Sequence, residues 1–155
     1  MFGKLSTKEL AGLYKAVGLN GCYIHPHRAE ALGLPILEAI ACGCRVGTTG
    51  WGGPKYTTQG IDTVKLFNYK LEPSTFHNNK EEPFYKKNEN PCWAELDKRI
   101  VKMWMSEITK QSYNEAKLRT SSERIIGKYS YKNIAKNIFN ILQKIHGDKL
   151  KDLQH

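Results

Sequence analysis

Glu30 and Glu38 stand eight positions apart on either side of a Gly33-Leu34-Pro35 turn, with Arg28 and two histidines just upstream. Such residues, so spaced, suit a phosphorylated sugar. A guanidinium pairs with phosphate through charge-assisted hydrogen bonds. A helix opening after a glycine turn presents unpaired N–H groups and the positive end of its dipole. Gly33, lacking a Cβ, lets a ligand approach the backbone closely. This reading assigns phosphate to Arg28 and the Gly33-Leu34 amides, and a sugar diol to Glu38, as acidic residues do for ribose in nucleotide folds. The same residues also read as an ordinary βα loop with two solvated glutamates.

The elements that must position these groups follow from the flanking pattern. Gly21 to His25 is a short apolar run stopped by Pro26, a buried strand. Leu34, Leu37, Ile40 and Ala41 recur at helical spacing, Pro35 suits the first turn, and Cys42-Gly43 suits the end. Arg45 to Thr49 reads as a second strand. The order is strand, loop, helix, strand, and the helix start follows the carboxyl end of a strand. In open α/β sheets that is where ligands bind. Gly52 and Gly53, just past the second strand, suit either a loop whose backbone approaches a ligand or a simple turn.

The stretch from Pro26 to Val46 resembles the signature of the retaining GT-B glycosyltransferases, Pro-Ser-Arg-x-Glu-Gly-Phe-Gly-Leu-Pro-x-x-Glu-Ala-Met-Ala-x-Gly-x-Pro-Val. It matches at Pro26, Arg28, Glu30, Gly33, Leu34, Pro35, Glu38, Ala39, Ala41, Gly43 and Val46. The two glutamates keep the family's Glu-x7-Glu spacing. His27 stands where the family usually has Ser, Ala31-Leu32 replaces Gly-Phe, and Arg45 replaces Pro. Gly52-Gly53-Pro54-Lys55 resembles the family's Gly-Gly-x-Pro-Glu loop, with Lys55 or Tyr56 at the acidic position, a departure that bears on donor preference and on activity. The helix before the first strand and the Tyr129-Ser130-Tyr131 segment resemble the family more loosely.

The resemblance implies a partial Rossmann-like α/β fold, the GT-B C-terminal domain, with parallel strands and a helical C-terminal tail. It implies transfer of a hexose from a nucleoside-diphosphate sugar to an acceptor hydroxyl with retained configuration. Glu30 would be catalytic, contacting the donor sugar and steadying developing positive charge. Arg28, Gly33, Leu34, Glu38, Gly52 and Gly53 would bind the donor. No metal and no cofactor beyond the donor substrate are implied. The acceptor domain and the opening strands of the donor domain are not in this chain, which implies a chain inactive or incomplete alone, exposing a sheet edge that pairs with the missing N-terminal half or forms a homo-oligomer. A catalytically silent sugar-nucleotide-binding or assembly module is the alternative. A glycoside hydrolase using Glu30 and Glu38 is a third and remote one, because such enzymes need the pair flanking one sugar bond.

The 155 residues suit one domain with a real core. At 40% hydrophobic and 25% charged, the composition excludes wholesale disorder. No stretch approaches a membrane span or a signal peptide, so a soluble, cytoplasmic chain is expected. The formal charge of +9 comes without a nucleic-acid motif, and the lysines are scattered on solvated faces, so no nucleic-acid partner is expected. Cys22, Cys42, Cys44 and Cys92 lack zinc spacing and read as reduced, with Cys22 and Cys42 among core residues. His25 and His27 are too isolated to suggest a metal site.

Residues 1–67 are expected to form the donor-binding part, 68–92 a polar loop or insertion, 93–147 helices of the same domain, and 148–155 a tail. Ser6 and Glu9 predict a capping box for a helix closing at Gly18. Asp62 to Phe67 predicts a further strand. The 68–92 segment is a candidate lid. Trp93, Leu96, Ile100, Met103 and Trp104 predict one helical stripe, followed by a helix over about 107–126. A last amphipathic helix carries Ile134, Ile138, Ile141, Leu142 and Ile145.

Overall fold

The computed structural model describes residues 4–73, 92–112 and 114–146. It is a mixed α/β fold built on three parallel strands, β1 (Tyr23–His25), β2 (Val46–Thr49) and β3 (Val64–Phe67), in that spatial order. Tyr23 lies opposite Val46, and Val46 opposite Val64. Helix α1 (Thr7–Asn20) precedes β1, α2 (Leu34–Ala41) joins β1 to β2, and the short α3 (Gly53–Thr57) leads toward β3. Beyond β3, β4 (Tyr69–Pro73) and β5 (Cys92–Leu96) pair antiparallel, and α4 (Lys98–Ile108), α5 (Glu115–Tyr129) and α6 (Tyr131–His146) complete the chain.

The sequence explains the first half closely. Ser6 caps α1 through the Glu9 amide while the Glu9 carboxylate accepts from the Ser6 amide, satisfying two orphan donors. The helix does not stop at Gly18. It runs to Asn20, and Gly18 is buried where a Cβ would lie 2.8 Å from the Gly43 carbonyl oxygen. Its glycine serves close contact with the end of α2. That helix buries Ile36, Leu37, Ala39 and Ile40 against Tyr14, Val46, Ile61 and Ile125, which form the core on one sheet face. On the other face Trp104 of α4 meets Phe67 edge to face, with ring centroids 5.6 Å apart. Arg45 fastens that layer, its guanidinium donating to the carbonyls of Gly21 and Ile108, the latter at the end of α4.

The second half departs from the pattern reading in three places. Residues 69–73 are a strand, so the expected polar loop begins as half of a hairpin. Its remainder, 74–91, where a lid was expected, lies outside the described residues, as do 147–155. Trp93 and Leu96 belong to β5, and the helix starts only at Lys98 because Asp97 caps it, accepting from the Arg99 amide at 2.8 Å. The expected 107–126 helix starts instead at Glu115, behind Asn114, whose side chain accepts from the Lys117 amide. Asn and Asp outcompete a weak apolar periodicity at such starts. Ser130 separates α5 from α6 as the Tyr-Ser-Tyr segment suggested. Among the cysteines Cys44 is the fully buried one, Cys22 and Cys42 are half-buried, and Cys92 is exposed. Among the described residues no helix is long and apolar enough to cross a membrane.

Candidate functional site

The chain end of β1 and the chain end of β2 point the same way, so both glycine loops emerge at one edge of the sheet. The first loop carries Arg28 and Glu30 into α2, and the second carries Gly52 and Gly53 into α3. The two are locked together. The Gly53 amide donates to the Glu30 carbonyl at 3.0 Å. Gly52 has φ +66°, and a Cβ there would sit 2.6 Å from that same carbonyl oxygen. A Cβ on Gly53 would fall 1.8 Å from the Ala31 carbonyl oxygen. These glycines are required by backbone meeting backbone, and the contact leaves no space for a ligand between them.

Glu30 has a structural duty. Its Oε1 accepts from the Leu32 amide at 3.2 Å and the Gly33 amide at 3.0 Å, closing the loop ahead of α2. The hydrogen bond from Gly33, seconded by that from Leu32, holds its carboxyl below the usual value. Oε2 carries no hydrogen bond among the described residues. Gly33 takes φ +82° as the N-cap of α2 and is buried beside Ile36 and Pro54. The expected close approach of a ligand over Gly33 is therefore corrected: its open side is filled by the second loop's proline, and its amide is taken by Glu30. Leu34, exposed at the first helical position, keeps an amide with no partner among the described residues.

Arg28 is engaged as well. Its guanidinium lies 4.7 Å from the Trp93 ring centroid and 2.7 Å from the Glu95 carboxylate, an ion pair lacking hydrogen-bond alignment at Oε2. The Arg28 carbonyl also accepts from the Ala94 amide at 2.9 Å, so β5 runs along this loop. A cavity of about 360 Å³ opens beside the pair, lined by Pro26, Arg28, Glu95, Lys98 and Lys102 among others. An anion there would meet three cations and one competing carboxylate.

Glu38 lies exposed on α2, one turn past the helix start. Both it and Glu30 act on the Tyr23 hydroxyl: burial raises the Tyr23 pKa most, and the two carboxylates raise it further. Tyr14, pushed up to about 12 chiefly by burial, packs on Tyr23 with centroids 5.5 Å apart and also feels Glu38. The structure brings Glu30, Gly33, Gly52 and Gly53 into direct contact, sets Glu38 on the adjoining helix face, and turns Arg28 toward β5.

The motif reading missed one row of residues. Tyr23, His25 and His27 stack along the strand toward the loop, with centroid separations of 6.1 and 5.5 Å. His27 is buried; both of its ring nitrogens, and Nδ1 of His25, lack hydrogen-bond partners among the described residues. Burial holds the His27 pKa below its usual value, with His25 adding to the effect. The signal was there in the alternation of Tyr23, His25 and His27, which puts all three on one strand face. Thr48 and Thr49 fix the row from β2, donating to the carbonyls of His25 and His27. Among the described residues no group of His, Cys, Asp and Glu is arranged to hold a metal ion. Compared with family models, with curated proteins and with solved structures, the chain matches none.

Proposed function

We propose that this edge binds the nucleoside-diphosphate part of an activated sugar, as the donor-binding part of a retaining glycosyltransferase that moves a hexose to an acceptor hydroxyl. The observation that carries the reading is the lock between the Gly52-Gly53 loop and the Glu30-Ala31 backbone at the carboxyl edge of parallel strands. It makes one rim of two loops beside a helix start, the place where α/β sheets take phosphorylated ligands. In this reading the Leu34 amide and the positive end of α2 meet the diphosphate. Glu38, with no hydrogen bond to the fold among the described residues, accepts from the ribose hydroxyls. Glu30 presents Oε2 toward the donor sugar while Oε1 holds the loop, and stabilisation of the leaving diphosphate supplies the main catalytic term. Arg28 joins the phosphate when it exchanges Glu95 for the ligand.

Calorimetric titration of the full chain with UDP, GDP and ADP tests this. At least one should bind, and Glu38→Ala should weaken it about tenfold, the worth of a good hydrogen bond to a charged acceptor. Absence of binding at millimolar ligand removes the proposal. A second reading, a sugar-nucleotide-binding or assembly module without turnover, is favoured by Lys55 in place of an acid and by Arg28 already paired with Glu95. Binding without donor turnover in the presence of acceptor sugars selects it.

A further inference from the structure

Helix α6 is the least covered element of the described chain. Ile134, Ile138, Phe139, Ile141, Leu142 and Ile145 are all exposed, Ile145 by 65%, and no α6 residue is buried. At 3.6 residues per turn, Ile134, Ile138, Ile141, Leu142 and Ile145 fall within roughly 120° of arc, a continuous strip along the whole helix. The polar remainder has three asparagines, a glutamine and three lysines, and α6 contains no Asp or Glu. On the same helical geometry Lys144 lies about 60° past one edge of the strip, Lys132 about 80° past the other, and Lys136 on the far side.

We propose that α6 lies in the plane of an anionic lipid bilayer, its isoleucine strip in the acyl boundary and its lysines on the headgroups. Three observations select that occupant. The charge on α6 is of one sign, on a chain already at +9, so a complementary surface must be negative. Lys132 and Lys144 lie on either side of the strip, above the level of its edges, where their stems reach up to phosphates while the strip is submerged. The helix is too polar to span, so it binds along the surface. Pairing with a second copy is disfavoured because the positions beside the strip offer Lys144 and asparagines without a carboxylate to answer them. This inference is independent of the donor-site reading.

Vesicle flotation of the full chain tests it, with phosphatidylcholine vesicles alone and with 30 mol% phosphatidylglycerol added (roughly a physiological anionic fraction). The chain should float with the anionic vesicles, stay behind with the neutral ones, and be released as salt rises. Ile138→Glu with Ile141→Glu should lower the partition at least about tenfold. Lys132→Gln and Lys144→Gln should each lower it about fivefold, and Lys136→Gln, on the far side, by less. All these side chains are exposed, so the circular dichroism melt should be unchanged, which separates lost binding from lost folding. Failure to float, equal flotation with both vesicles, or undiminished flotation of the double isoleucine variant overturns the proposal. So does a dimer in sedimentation equilibrium that Ile138→Glu dissolves, which would assign the strip to a second copy.

Discussion

Gly53→Ala is the sharpest perturbation of the candidate site. The new Cβ would stand 1.8 Å from the Ala31 carbonyl oxygen and 2.5 Å from its carbon, both backbone atoms that cannot rotate away. Ordinary contact begins at 3.4 Å, so the loops must separate by about 1.6 Å. That displacement breaks the 3.0 Å hydrogen bond from the Gly53 amide to the Glu30 carbonyl. It also lifts Pro54 from Gly33, which it packs against. Losing the hydrogen bond costs about 1 kcal/mol. Overpacking adds roughly 1–3 kcal/mol. Alanine's better helix propensity at the start of α3 returns at most about 1 kcal/mol. The net expectation is about 1–4 kcal/mol of destabilisation, which for a domain of this size lowers Tm by roughly 2–16 °C.

Circular dichroism melting reads this directly, and Gly127→Ala is the control. Gly127 is exposed on α5 with nothing within 4 Å of an added Cβ, so alanine should raise stability by up to about 1 kcal/mol. The loop lock also predicts that Gly53→Ala loses nucleoside-diphosphate binding at temperatures where it is still folded. A melt within about 2 °C of the parent, which corresponds to less than about 1 kcal/mol, would refute the claim that the two loops are in enforced contact. So would intact ligand binding.

Further outcomes follow from the buried and capped groups. His27 has a depressed folded pKa, so the unfolded chain takes its proton first; stability should fall as pH drops through the ordinary value of 6.5, and His27→Gln should flatten that part of the profile in denaturant melts. Glu30 is also depressed, so its contribution is present above the ordinary 4.5 and lost as pH falls through the lower folded value, a loss that Glu30→Gln should abolish. Cys44 is buried with its pKa pushed to about 11, so an aromatic disulfide reagent in the native state should modify it after the half-buried Cys22 and Cys42, in mass-spectrometric mapping.

The βαβ frame was legible because its signals are local and agree with one another. Ser6-Glu9 forms a capping box, Pro35 opens α2, and a tight run of Ile36, Leu37, Ala39 and Ile40 has only one place to be buried. The helix starts of the second half were not, because Asp97 and Asn114 act through single side-chain hydrogen bonds that apolar periodicity does not register. The Trp93 stripe misled for a further reason. Trp93 packs under Arg28, from 65 positions earlier (93 − 28), and such long-range pairing of β5 leaves no mark on local spacing. At the site, the residues the sequence singled out gather at one edge of the sheet, but their duties did not follow from type alone. Gly33, Gly52 and Gly53 read as openings for a ligand, and only coordinates reveal that each is filled by the other loop.

That distinction orders the candidate residues by what their substitution can teach. Glu30 closes its own loop and Gly53 joins two loops, so changing either disturbs the frame and the pocket together, and a binding loss there has two sources. Arg28 is tied to Glu95 and Trp93, so its replacement also frees β5 and leaves Glu95 without its countercharge. Glu38 is different. It is exposed and hydrogen-bonded to no described residue, and it sits one turn past Leu34, whose amide has no partner among the described residues. Surface substitutions of that kind change stability by no more than about 0.5 kcal/mol. A tenfold loss of nucleotide affinity in Glu38→Ala with an unchanged melt would therefore report on ligand contact alone, and unchanged affinity would place the ribose elsewhere whatever the other variants do.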